Sequence, residues 1–267
     1  MKLTCICPGI RTANWKKLYD SMFKACKLHS WEMVFVGPYA LPEELAGKDN
    51  IQYIQDWASP IICQQKGLLA AKGEYITWAA DDGYFLENSL DVGFSLMKES
   101  SSRGAEVNYK IVVMGKYTEG DGNTEHMRGN EYYVLTNHES SNFREIPKGT
   151  YMLNVGLVSK RLLMEVGGWD CKFEVCPMAY NDLAIRLQKL GCPFIIQNDL
   201  MFSCTHLPGH MGDHGPIHDG QVIHDQPLFE KIWNPRSTPP SPRIHIPIDT
   251  FKDMPDMWVR RFGAVSG

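Results

Sequence analysis

The chain has 267 residues, with 27 lysines and arginines against 31 aspartates and glutamates and a formal net charge of −4. That balance excludes the basic stripe needed to follow a phosphate backbone, so nucleic acid is not an expected partner. A 43% hydrophobic content can fill a sizeable core, and this length suits one large α/β domain or two small ones.

The start, Met1 to Pro8, is too short an apolar run for a signal peptide, and no stretch approaches the ~18 apolar residues of a membrane span. The eight cysteines include no CxxC pair and no zinc spacing. Cys5, Cys7 and Cys63 lie in apolar runs, where a reduced thiol packs as a small hydrophobe. A reducing, cytoplasmic location is expected.

The first hundred residues alternate strand and helix patterns. Lys2–Cys7 is a short β-prone run stopped by Pro8-Gly9. Asn14 to Leu28 has helical spacing, with Trp15, Leu18, Met22 and Cys26 near one face and Asn14 as N-cap. Trp31–Val36 is a second strand and Asn50–Ile54 a third. Pro60 to Lys72 reads as a helix opened by Pro60 and stopped by Gly73. Tyr75–Ala80 is a fourth strand, and Asn88–Glu99 another helix. This alternation argues for an α/β fold with a parallel sheet. Ligands in such folds gather at the carboxyl ends of the strands. Here those ends are Pro8-Gly9-Ile10-Arg11, Gly37-Pro38-Tyr39, Gln55-Asp56-Trp57 and Asp81-Asp82-Gly83.

The second half is less regular. Tyr109–Met114 reads as a strand, residues 115–150 as hairpins or loops, Tyr151–Val158 as a strand and Lys160–Val166 as a short helix. A helix over Asp182–Leu190 precedes two strands, Phe194–Gln197 and Leu200–Cys204. Residues 206–224, with five histidines, read as a loop. The Pro-rich stretch 235–247 reads as extended, and Asp249–Phe262 as a closing helix. The expected units are residues 1–230, split near residue 100 into two halves, and an extended Pro-rich segment 231–267.

Several groups could carry chemistry. Adjacent carboxylates at a strand end, Asp81-Asp82, can hold a hard divalent cation whose remaining ligands come from a diphosphate; the plain alternative is a turn. Asp182, placed at a helix start, is stabilised there by the helix dipole whatever its function. His206, His210, His214 and His218 are spaced by four, but the glycines and prolines among them oppose a helix. Gly167-Gly168-Trp169-Asp170 reads as a helix stop followed by a buried aromatic.

Lys72-Gly73-Glu74-Tyr75-Ile76-Thr77-Trp78-Ala79-Ala80-Asp81-Asp82 resembles the segment that ends in paired aspartates in family 2 glycosyltransferases. Gly167-Gly168-Trp169-Asp170, followed by Asn181-Asp182-Leu183 and Arg186-Leu187, resembles that family's acceptor-side block. The resemblance covers roughly residues 2–206. It implies a GT-A (Rossmann-like) fold, a mixed and mainly parallel sheet flanked by helices, with a C-terminal extension. It further implies a metal-dependent, inverting transfer of sugar from a nucleotide-sugar donor of the UDP or GDP type to a glycan or other hydroxyl. Pro8, Gly9, Arg11, Asp56, Gln65 and Asp81 would hold the donor, Asp82 and His206 the Mn²⁺ or Mg²⁺, and Asp182 would act as general base. The chain departs from the family at Gly37-Pro38-Tyr39, Gln64-Gln65, Ala79 and Asn181. These departures also admit a relative that binds nucleotide or carbohydrate without catalysis. A sugar-phosphate nucleotidyltransferase fits less well, because the loop after the first strand is poor in glycine and basic residues.

Overall fold

In the computed structural model of the chain, residues 1–101, 109–120, 125–126, 153–205, 215–233 and 243–253 are described. Strands β1 (Leu3–Pro8), β2 (Trp31–Gly37), β3 (Ile51–Gln55) and β4 (Tyr75–Trp78) run parallel in the order β3-β2-β1-β4. β1 and β2 are near-continuous apolar runs because both of their faces are covered. β3 is the edge and only half-buried.

Alternate side chains go to opposite faces of the sheet. Ile6, Ile76 and Trp78 join one core, with Ile61, Leu163, Leu183 and Trp233. Cys5, Cys7 and Phe35 join the other, with Trp15, Leu18, Met22 and Phe94.

Helix α1 (Thr12–Ala25) connects β1 to β2 and buries Trp15, Leu18, Tyr19, Met22 and Ala25, a stripe at helical spacing. Trp15 stacks on Phe35 with ring centroids 4.5 Å apart. Helix α2 (Pro60–Ala70) connects β3 to β4; the Ser59 hydroxyl accepts from the Ile62 N–H at its N-cap, and Pro60 occupies the first turn.

The far half of the sheet is mixed. β5 (Gly83–Phe85), β6 (Val112–Gly120), β8 (Gly156–Ser159) and β9 (Phe194–Thr205) extend the order as β4-β8-β6-β9-β5, with β7 (Glu125–His126) on β6. β8 is antiparallel to both β4 and β6, whereas β6 and β9 are parallel. Helices α3 (Ser89–Ser101), α4 (Lys160–Val166) and α5 (Cys176–Lys189) complete the layers. A last helical run consists of α6 (Gly215–Asp219), a π-helical stretch Gly220–Asp225 and α7 (Gln226–Trp233). The expected α/β class holds.

Several sequence expectations are corrected. α1 starts at Thr12, with Arg11 rather than Asn14 at its N-cap. α5 starts at Cys176 with Pro177 in its first turn, so Asp182 is in mid-helix. The expected strands 194–197 and 200–204 are one strand, β9, beside a register shift at Lys116 of β6. Residues 215–224 are helical, because Pro216 suits a first turn and the following run packs against α5 and α7. Of the expected closing helix, the described part is one 3₁₀ turn, Thr250–Asp253. None of the eight cysteines forms a disulfide, and burial pushes thiols such as Cys171 up to about 12, as for packing residues rather than nucleophiles. Among the described residues no helix is long and apolar enough to cross a membrane.

Candidate functional site

Asp81 follows β4 and faces the loop that follows β1. Its Oδ2 accepts the backbone N–H groups of Ile10 (2.7 Å) and Arg11 (2.6 Å), and its Oδ1 accepts Arg11 Nη1 at 2.5 Å. Two crossover loops are thereby tied at the carboxyl ends of neighbouring parallel strands. Pro8 closes β1, and Gly9 lies directly against Asp81. A Cβ at Gly9 would sit 2.8 Å from Asp81 Cβ and Oδ2, and 2.9 Å from Trp15 Nε1. Gly9→Ala is therefore expected to cost about 1–3 kcal/mol by overpacking and to loosen the loop, read as a lower melting temperature and weaker nucleotide binding.

Asp82 is nearly buried, its Oδ2 3.6 Å from Arg11 Nη1. Burial pushes the Asp81 carboxyl above its ordinary value; the Arg11 guanidinium and N–H groups oppose that, and Asp82 adds to it. The Asp81 carboxylate is thus incompletely compensated by Arg11, which favours further positive charge beside it. No group of three His, Cys, Asp or Glu side chains among the described residues could hold a metal. This donor set fits Mg²⁺ or Mn²⁺ held by one or two carboxylates plus substrate phosphates, rather than a closed protein cage. Of the two carboxylates, Asp81 is the one engaged by the backbone N–H groups of the β1 loop. His206 lies outside the described residues.

Asp56 sits at the carboxyl end of β3, where it accepts the Ala58 N–H (2.9 Å) and pairs with Lys66. Beside it, Trp57 and Tyr39 expose two-fifths of their surface and meet edge-on at 5.7 Å between centroids.

Gln65, expected on the donor, is instead fully buried in the protein. Its Nε2 donates to the carbonyls of Gly167 (3.0 Å) and Ile248 (2.8 Å), and its Oε1 accepts the Trp169 N–H (3.0 Å). Two of these bonds tie α2 to the Gly-Gly-Trp turn and the third ties it to Ile248, so the amide is held inside the protein. Gln65→Ala is expected to destabilise by roughly 2–4 kcal/mol, because it strands buried main-chain groups; denaturant unfolding would measure it. Its neighbour Gln64 accepts the Tyr180 hydroxyl at 2.7 Å, while its buried Nε2 makes no hydrogen bond.

Asp182, the expected base, is fully buried. Its Oδ2 accepts Arg186 Nε at 2.8 Å, and its Oδ1 accepts Trp233 Nε1 and Arg243 Nε, both at 3.2 Å. Arg186 also donates to the carbonyls of Val166 (2.8 Å) and Gly168 (2.5 Å), and Arg243 pairs with Asp170. Burial pulls the Arg243 guanidinium down, but Asp182 and Asp170 outweigh it and hold it above its ordinary value. Both Asp182 oxygens are thus engaged in an internal ion cluster. The i, i+4 spacing of Asp182 and Arg186 was the sequence signal for this pairing.

Sequence reasoning missed a second polar group, at the entry to α5. Asp225, fully buried, accepts the N–H groups of Glu174 (2.9 Å) and Val175 (2.8 Å) and lies 2.7 Å from His224 Nδ1. Glu174, also buried, has Oε1 3.7 Å from the same nitrogen. The Glu174 carbonyl accepts the Ile61 N–H at 3.4 Å, placing this loop at the start of α2, just beyond the end of β3. No local sequence pattern marks this group, because Glu174 and Asp225 are fifty-one residues apart.

No family model and no curated protein sequence matches the chain. Its fold matches solved structures of S. aureus TarS. Residues 1–349 of that protein align with a TM-score of 0.54 at 15% identity, over 77% of this chain and 60% of that one. The same fragment in complex with UDP gives 0.53 at 14%, over 84% and 67%; in complex with UDP-GlcNAc it gives 0.52 at 15%, over 80% and 60%. The chain thus spans less than two thirds of the first of these fragments, and at this identity the shared property is the fold, a mixed α/β sheet of the GT-A kind.

Proposed function

We propose that this chain transfers a sugar from a nucleotide-sugar donor to a hydroxyl acceptor. The observation that carries the reading is the Arg11–Asp81–Asp82 constellation at the carboxyl ends of β1 and β4, in a fold shared with TarS structures solved with UDP and UDP-GlcNAc.

In this reading Asp82 is a ligand of Mn²⁺ or Mg²⁺ on the donor diphosphate. Asp81 fixes the β1 loop, so that Pro8, Gly9 and Arg11 present a rigid edge to the nucleotide. Asp56, just past the carboxyl end of β3, would meet the nucleoside in this reading. When bound, the cation offsets charge developing on the leaving diphosphate. Arg11, already ordered by Asp81, supplies a second fixed positive charge without reorganising during the reaction. An acceptor hydroxyl attacking opposite the leaving group inverts the anomeric carbon.

The test is a thermal-shift screen of UDP, GDP and their sugars, with and without Mn²⁺. A ligand that binds the folded state raises the melting temperature by mass action. A shift that needs both metal and a nucleoside diphosphate supports the reading; no shift across the panel sinks it.

A further inference from the structure

Asp182 is fully buried within an ion cluster, so the acceptor's proton calls for another recipient. We propose that His224, oriented by Asp225, is the general base of the transfer, an inference that rests on the function proposed above.

The imidazole is the exposed member of the group beside α5. Its side chain is 31% exposed, against 0% for Asp225 and 4% for Glu174. The Asp225 carboxylate at Nδ1 selects the tautomer with the proton on that nitrogen, leaving the Nε2 lone pair as acceptor. Among the described residues no hydrogen bond occupies Nε2. Asp225 is itself immobilised by the Glu174 and Val175 N–H groups, so the ring is held from behind by a fixed charge. His224 also sits on the π-helical stretch Gly220–Asp225, a geometry frequently found at functional sites.

The group lies at the crevice end of the sheet: the Glu174 carbonyl accepts the Ile61 N–H at the start of α2, and α2 follows the carboxyl end of β3.

The step balances simply. The acceptor oxygen forms a bond to the anomeric carbon, and the bond from that carbon to the diphosphate oxygen breaks, its electron pair leaving with the nucleoside diphosphate. The hydroxyl proton passes to His224 Nε2. The resulting imidazolium lies against the Asp225 and Glu174 carboxylates and returns its proton to water at its exposed edge.

The experiment compares wild type, Asp82→Ala, His224→Gln and His224→Asn. The readouts are the Mn²⁺-dependent thermal shift with UDP-GlcNAc and UDP release from it, in water and with alkyl glycosides as acceptors. The Asn amide can still donate to Asp225 but offers no basic nitrogen, so it preserves a purely structural role. The expected result is UDP release reduced about 10²- to 10⁴-fold in both His224 variants, with the shift retained. His224→Ala should recover part of the loss with added imidazole. UDP release within threefold of wild type in His224→Asn, alongside a dead Asp82→Ala, overturns the base while leaving the transferase reading intact. Neither shift nor release by wild type overturns both.

Discussion

Asp82→Ala is expected to abolish the metal-dependent part of the nucleotide thermal shift and to lower sugar transfer about 10²- to 10³-fold. The magnitude follows from the role assigned. A cation on a leaving diphosphate is worth several kcal/mol of charge stabilisation in the transition state, and each 1.36 kcal/mol is about tenfold in rate. In the proposed function that role falls to Asp82 because the Asp81 carboxylate holds the Ile10 and Arg11 N–H groups and the Arg11 guanidinium. The two carboxylates should therefore separate experimentally. Asp82→Ala removes metal dependence from a protein that keeps its β1 loop. Asp81→Ala instead releases that loop and weakens nucleotide binding with or without metal. Titration of Mn²⁺ against each variant at fixed UDP measures the difference. An Asp82→Ala variant with wild-type metal dependence would remove Asp82 from the site.

Asp182→Ala is expected to be the most destabilising single change. It leaves Arg186, fully buried, and Arg243, mostly buried, facing a void where a shared carboxylate stood. Breaking a buried ion pair from one side costs about 3–5 kcal/mol, because the remaining charge is uncompensated. For a chain of this size that is a fall of roughly 10 °C in melting temperature. Loss of transfer in this variant would then follow loss of folded protein and recover on cooling. A variant that melts with wild type yet transfers nothing would return the proton-accepting role to Asp182.

The first half of the fold was legible because its signals are local. β1, β2 and β4 are short apolar runs ended by Pro-Gly, Gly-Pro and Asp-Asp-Gly, and their parallel order follows from the alternation with α1 and α2. The Asp81-Asp82 turn could be placed for the same reason, since a strand end in a parallel sheet fixes which way its loop faces. The second half misled wherever a long-range contact set the structure. Pro177 and a buried Ala179-Tyr180 start α5 six residues before Asp182, which turns a first-turn acid into a core ion pair. Gln65 was assigned to the donor by its neighbours in sequence, but its amide is saturated by main chain more than a hundred residues away. His224 was one histidine among many in a Gly-rich stretch. Only the partners of Asp225, in a loop fifty residues earlier, set it apart.

The segment around Arg243–Ile248 bears on how the chain acquires its shape. It supplies Arg243 to Asp182 and Asp170, a carbonyl to Gln65 across 183 residues, and the Ile246 amide to the Val166 carbonyl. During synthesis the preceding helices leave the ribosome well before this segment. Until it arrives, the Asp182 and Asp170 carboxylates lack their outer cation and the Gly-Gly-Trp turn lacks its cover. Closing so long a loop adds little equilibrium cost, since that cost grows only logarithmically with length. It is slow, however, and exposes apolar surface meanwhile. Full ordering of the α2–α5 core is therefore expected only once this later segment has docked.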